Sequence, residues 1–200
     1  MKGSIIIVSF FILGLMLARF DLLSEAFYNE SYSSYVLYVM IICVGMSIGG
    51  DIKLLDATKK YGYRIFLPPV ATIVGTLGGA LILGICWSGR SVVDCLTVSS
   101  GFGYYSISSI ITTELRGEEL GVVSLISNVC REVFTLLFTP LLVVAFGKVA
   151  PICSGGATTI GTTLPIITTF SGKEFAIVAI FHGFVIDLLM PFIVSLFASM

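Results

Sequence analysis

Asn128, Arg131 and Glu132 stand in the middle of residues 124–140, SLISNVCREVFTLLFTP, an otherwise apolar stretch of membrane length. At about 100° per residue, Ser124, Asn128, Arg131, Glu132, Thr135 and Thr139 fall in one sector about 100° wide, so a helix here carries a polar stripe between apolar flanks. A charge inside a membrane costs roughly 2.5–3.5 kcal/mol on insertion scales, and such residues face a bundle interior or a wet cavity. The stripe is therefore the leading site candidate. A glutamate in it can hold a cationic substrate group or carry a proton, and the neighbouring arginine can orient the site or act as a counter-charge. Adjacent positions point about 100° apart, so the two side chains are expected to reach different partners. His182 and Asp187, near the C-terminus, add a second pair of intramembrane ionisable groups. Five residues apart, they lie about 140° around a helix and do not share a face unless Gly183 or Pro191 distorts it.

Two further stretches carry backbone chemistry. Residues 92–113 are long enough to cross, yet their centre reads TVSSGFGYYSISSI. Glycine relaxes the helix and serine hydroxyls satisfy freed backbone groups, which predicts an unwound or re-entrant element lining a cavity. Residues 151–172, PICSGGATTIGTTLPIITTFSG, repeat the anomaly. Half-helix N-termini and freed amides can hold a carboxylate, and freed carbonyls can hold Na⁺ or an ammonium; an amino-acid zwitterion uses both. The substrate-contact candidates are accordingly Glu132, Arg131, Asn128, Gly101, Tyr104, Tyr105, Ser106, Gly155, Gly156, Thr158 and Thr159. Glu132, Asp187 and His182 are the candidates for proton or ion coupling. No catalytic residue and no metal ligand set is expected.

The elements that position these groups are membrane spans. Of the 200 residues 56% are hydrophobic and 12% charged, against about 25% charged in soluble domains. This composition defines an all-α polytopic membrane protein with about 5–7 transmembrane helices, two of the segments broken or re-entrant. A net charge of −1 leaves no basic footprint for nucleic acid. Cys43, Cys86, Cys95, Cys130 and Cys153 form no CxxC pair and read as buried, reduced packing residues. Residues 5–18 make a short first span with no A-x-A-like cleavage site after it, hence a retained helix rather than a signal peptide. An acidic connection with Tyr28, Tyr32 and Tyr35 as interfacial anchors follows, and residues 35–49 form a second span. The basic cluster of Lys53, Lys59, Lys60 and Arg64 places the next loop in the cytoplasm. Residues 65–87 form a third span, with Pro68 and Pro69 in its first turn and Ala71, Gly75 and Gly79 as a smooth packing face. The striped helix extends to about residue 148, and a final span, 175–198, is expected to be interrupted at Gly183 and Pro191. The whole chain reads as one membrane transport domain, 1–200, with broken-helix units at 92–148 and 151–200. If one broken segment crosses and the other is re-entrant, both chain ends lie in the cytoplasm. If they behave alike, the crossing number is odd and the C-terminus lies outside.

In SGFGYYSISS (100–109), SNVCRE (127–132), SGGATTIGTTLP (154–165) and HGFVIDLLMP (182–191), in that order, the chain resembles the LysO-type lysine exporter family. The likeness spans essentially the whole chain and is strongest from about residue 99. It implies an inner-membrane exporter of L-lysine and toxic analogues such as thialysine, driven by H⁺ or Na⁺ exchange and using no cofactor. By motif match, Glu132 is the family's functional acid. Members of that family near three hundred residues carry a further N-terminal block of spans with another acid, which implies a small separate membrane subunit, or a homo-oligomer, to supply the rest. The family's acidic position in the second glycine-rich motif is Gly161 here, and Asp187 is an extra acid that can compensate. The competing readings are an intramembrane enzyme using His182 as base, against which stands the absence of HExxH and Gly-x-Ser-x-Gly motifs, and a non-transporting subunit of a larger membrane complex.

Overall fold

A computed structural model describes residues 16–17, 62–86 and 89–200. The chain divides into a unit of residues 1–55 and a unit of residues 56–200, and the architecture that follows is that of the second. The two N-terminal spans (save helical Met16 and Leu17), the acidic connection, Cys43 and the lysine cluster lie outside the described residues.

The described residues are helical, with turns and no strand. After a 3-10 turn at Gly62–Phe66, α1 covers Leu67–Cys86, α2 Val92–Ser99, α3 Tyr105–Arg116, α4 Glu118–Phe146, α5 Ala150–Gly155, α6 Leu164–Ser171 and α7 Ala176–Ala198. Among the described residues three stretches are long and apolar enough to cross a membrane: Gly62–Cys86, Glu118–Phe146 and Lys173–Ala198. The fold is that of an all-α membrane protein.

Both expected breaks are present, and ion pairs between their ends decide their path. Asp94, in the first turn of α2, meets Arg116, the last residue of α3, at 3.5 Å. Two helices of eight and twelve residues run end to end would separate these groups by about 30 Å. The segment 92–116 is therefore a helical hairpin, hairpin 1. The same end of the bundle collects the C-terminus of α7, where Arg116 Nε donates to the Ala198 carbonyl at 2.9 Å, and the start of α4, where Glu119 pairs with Arg90. Likewise Lys148, just before α5, pairs with Glu174, just after α6, at 3.5 Å, so 150–171 is hairpin 2. It enters from the opposite end, alongside the start of α1: Cys153 Sγ lies 3.8 Å from the Pro68 carbonyl, and the Phe66 and Phe181 rings meet edge-on at 5.1 Å. Each hairpin leads into a long helix, and the spacing from α2 to α4 equals that from α5 to α7. Residues 92–146 and 150–198 are thus two copies of one plan, inserted in opposite senses.

The hairpins are rich in serine and threonine, whose hydroxyls need acceptors once buried. They find them one turn back: Thr97 donates to the Val93 carbonyl at 2.8 Å, Ser108 to Tyr104 at 2.7 Å and Thr112 to Ser108 at 2.7 Å. The apolar core has two parts. Phe102 and Ala157, one from each hairpin tip, pack with Ile186, Met190 and Val194 of α7. Ile152 and Ile167 of hairpin 2 pack with Val178 and Ala179 at the start of α7.

Two expectations are corrected: Cys86 and Cys130 are exposed and Cys95 and Cys153 only half-buried, not buried packing residues, and the last span is not interrupted. Helix α7 runs unbroken from Ala176 to Ala198 with Pro191 inside it. Gly183 serves close packing instead of a break: a Cβ there would lie 2.6 Å from Ile160 Cγ1 and from Thr159 Oγ1 of hairpin 2.

Candidate functional site

The two tips touch through their backbones. In hairpin 1, residues 100–104 leave the helical path, with Phe102 at φ 47° and Gly103 at φ 95°. A left-handed phenylalanine is unfavourable by itself; here its ring is completely buried and its carbonyl accepts from Ala157 N at 2.9 Å. In hairpin 2, Gly156 turns the chain at φ 60°, and a Cβ on it would overlap the Phe102 carbonyl oxygen. Gly103 is similarly close, 3.1 Å from the Gly155 carbonyl to an added Cβ. Glycine is required here because one backbone lies directly on another.

Helix α4 clamps this contact through its stripe. Ser124, Asn128, Thr135 and Thr139 are all buried. Asn128 Oδ1 accepts from Gly103 N at 2.8 Å and its Nδ2 donates to the Ser124 carbonyl at 2.8 Å. Gly101 has no room for a side chain beside that amide and the Ser108 hydroxyl. Arg131 spans the gap to hairpin 2: Nε donates to the Ser154 carbonyl at 2.8 Å, Nη2 to the Cys153 carbonyl at 3.0 Å and Nη1 to Thr76 Oγ1 of α1 at 3.1 Å. Those carbonyls end α5, so the guanidinium occupies the C-terminal, electronegative end of a half-helix and supplies donors the broken chain lacks. One turn on, Thr135 Oγ1 and Ser154 Oγ are 2.7 Å apart.

His182 braces the opposite flank. It is completely buried, with Nε2 2.8 Å from Thr72 Oγ1 and Nδ1 3.2 Å from Thr159 Oγ1. Thr159 Oγ1 also lies 2.8 Å from the Gly156 and Ala179 carbonyls. Thr158 bonds its own hairpin, at 2.8 Å to the Gly155 carbonyl, and Gly155 packs tightly on Thr159 and Thr163.

The sequence-predicted residues thus separate into two sets. Asn128, Arg131, Gly101, Gly155, Gly156, Thr158, Thr159 and His182 are brought together in the contact between tips, α1, α4 and α7, with their polar groups engaged by protein. Glu132 and Tyr105 make no side-chain hydrogen bond among the described residues. Glu132 sits at the centre of the 29-residue α4, half-buried and within electrostatic reach of Tyr105. Arg131 reaches hairpin 2 and α1, while among the described residues Glu132 reaches no hydrogen-bond partner and no ion pair joins the two. Ser106, in the first turn of α3, is half-buried, its carbonyl accepting from Ser109 Oγ at 3.1 Å. Asp187 occupies the centre of the 23-residue α7, within electrostatic reach of Tyr104; its Oδ1 is sealed from solvent without a hydrogen-bond partner. Among the described residues no hydrogen bond or ion pair joins Asp187 to His182. Gly161 is exposed and open. Among the described residues no cluster of His, Cys, Asp or Glu could hold a metal ion.

Sequence reasoning missed Thr72, Thr76 and Ser154. The signal was available for the first two: threonines four apart on the apolar α1 share a face, the one turned to hairpin 2 and His182.

Fold and site together define a helical membrane protein with a polar midplane centre built from broken segments, the construction used by secondary transporters. The chain belongs to the lysine exporter LysO family, which matches residues 8–198. It is 28% identical over 171 residues to the lysine exporter LysO of Escherichia coli (strain K12), across 84% of this chain and 55% of that relative. It is 30% identical over 165 residues to a Haemophilus influenzae protein named "Putative lysine exporter", across 82% of this chain and 83% of the relative. The chain therefore spans about half the length of the Escherichia coli relative and most of the Haemophilus one. No solved structure matches it.

Proposed function

We propose that this chain exports a cationic amino acid, L-lysine foremost and toxic analogues such as thialysine, across the cytoplasmic membrane in exchange for H⁺ or Na⁺. Membership of the lysine exporter family supports the substrate class. The observation that carries the site is the unequal state of two neighbours at mid-membrane: Arg131 is fully occupied with hairpin 2 and Thr76 of α1, while Glu132 has no hydrogen-bond partner among the described residues. An unbalanced carboxylate at that depth is costly. A lysine side-chain ammonium would remove the cost, with Tyr105 and Ser106 beside it and Tyr104 at the hairpin tip. The cross-bracing residues, Asn128, Arg131, Thr159 and His182, hold the tips where the ammonium must pass.

By the positive-inside rule the bundle end with Arg64, Lys148 and Lys173 is the cytoplasmic one, and Lys53, Lys59 and Lys60 precede Arg64 in the sequence. The opposite end carries Arg90 and Arg116 among Asp94, Glu114, Glu118 and Glu119, and faces outside. Hairpin 1 then enters from outside, hairpin 2 from the cytoplasm, and α7 ends outside. This is the arrangement expected when both broken segments behave alike. A small membrane subunit, or a second copy of this chain, would supply the part of the longer relative that has no counterpart here. Complete burial of His182 with both ring nitrogens engaged supports transport over catalysis by an intramembrane base.

The test is lysine and thialysine efflux from cells or inverted vesicles expressing the chain, with and without a candidate small partner. Glu132→Gln is expected to abolish efflux at unchanged protein level. Export at the wild-type rate by that variant would remove Glu132 from the substrate path.

A further inference from the structure

Glu132 and Asp187 occupy matching places in the two inverted copies. Each lies at the centre of the long helix that follows its hairpin. Four residues before Glu132, Asn128 bonds hairpin 1, and three residues after it Thr135 bonds hairpin 2. Four residues before Asp187, Gly183 packs on hairpin 2, and three residues after it Met190 packs in the cluster that holds both tips, Phe102 of hairpin 1 and Ala157 of hairpin 2. In each helix the contact with its own hairpin comes first and contact with the other copy's hairpin follows. The surroundings differ, however. Asp187 has an oxygen with neither solvent nor partner, and Pro191, four residues on and lacking an N–H, leaves the Asp187 carbonyl without its helical donor as well. A carboxylate oxygen sealed without a partner, beside a carbonyl that has lost its helical donor, marks a place where something positive binds.

We propose that Asp187 is a second, separate cation site, the pseudo-symmetric mate of Glu132, and that its ligand is a proton: Asp187 takes up a proton from outside and releases it to the cytoplasm while Glu132 carries the substrate ammonium the other way. The step is a protonation of Asp187 Oδ1 and its reversal, with no other bond made or broken. A metal cation fits less well, because hard cations take about six or more oxygens. The face of α7 around Asp187 offers Gly183 and Met190, and no carboxylate or histidine cluster lies near. Among the described residues, the one titratable group within reach of Asp187 is Tyr104 of hairpin 1. The arms of hairpin 2, α1 and α4 present it no charged group, and Arg131 acts on His182 and Cys153 instead.

The inference rests on the export reading, and the test separates the two. In proteoliposomes of the full chain, a pH gradient is expected to drive lysine accumulation in the wild type, with proton flux followed by an internal dye. Asp187→Asn is expected to reduce both to the level of empty vesicles while lysine–lysine exchange persists; Glu132→Gln loses exchange too. Difference infrared spectroscopy of the wild type on a pH change is expected to show a protonated-carboxyl band that Asp187→Asn removes. Gradient-driven accumulation surviving in Asp187→Asn, driving by Na⁺ but not by pH, or a carboxyl band that persists in Asp187→Asn, overturns the proposal. If the wild type moves no lysine in any arm, the export reading fails, and the carboxyl band alone then decides whether Asp187 is a proton site.

Discussion

Replacing Arg131 with methionine keeps the apolar stem but removes three hydrogen bonds, to Ser154 O at 2.8 Å, Cys153 O at 3.0 Å and Thr76 Oγ1 at 3.1 Å. Hydrogen bonds to a charged donor contribute about 1.5–3 kcal/mol each, and a carbonyl left buried without a donor costs about 1–3 kcal/mol. Against this, burial of the guanidinium no longer has to be offset, which returns part of the loss. The net destabilisation is roughly 2–4 kcal/mol. At about 2–4 °C per kcal/mol for a chain of this size, thermal unfolding in detergent should fall by roughly 5–15 °C. Arg131→Lys should fall by less, because one ammonium can hold a carbonyl but cannot fork across both and reach Thr76. If Arg131→Met melts like the wild type and loses lysine binding, the arginine is a substrate ligand and its bracing role is refuted.

Other outcomes follow from the same geometry. Gly156→Ala, whose Cβ would land on the Phe102 carbonyl oxygen, should force the tips apart and sharply lower folded yield in membranes, whereas Gly161→Ala, in open space, should be tolerated; equal yields would contradict the tip contact. Cysteines at Ser91 and Gly117, in a cysteine-free background, should react with a membrane-impermeant thiol reagent from one side only, and cysteines at Val149 and Gly172 from the other. Labelling of Ser91 and Gly117 variants from opposite sides would mean that hairpin 1 crosses.

Much of this arrangement was legible in the residues. A polar stripe surrounded by leucine, valine and phenylalanine has to face inward, and Ser124, Asn128, Thr135 and Thr139 do. The glycine clusters at 101–103 and 155–156 marked both breaks. What they could not reveal was path. Whether a broken segment crosses or returns depends on which ends meet, and here that rests on Asp94 with Arg116 and Lys148 with Glu174, pairs whose members look like ordinary interfacial charges. The function of individual glycines was equally hidden: Gly101, Gly156 and Gly183 read as flexible or ligand-facing positions, but each admits a neighbouring backbone or side chain too close for a Cβ. Pro191 was misleading for a related reason, since the removal of one helical hydrogen bond to Asp187 is absorbed by packing on both sides of α7. The matching places of Glu132 and Asp187 emerge only once both long helices are delimited, because each acid stands at the centre of the helix that follows its hairpin.

We propose that a lysine side chain binds at the carboxylate of Glu132, which stands at the middle of α4 beside the meeting point of two hairpin tips and has no hydrogen-bond partner among the described residues. Equilibrium binding of lysine to the purified full chain, wild type against Glu132→Gln, with thermal unfolding as a control for folding, tests it most directly. A loss of affinity of at least about tenfold, or roughly 1.4 kcal/mol, is expected for the variant, with little change in unfolding temperature. Undiminished lysine binding by a well-folded Glu132→Gln variant would contradict it.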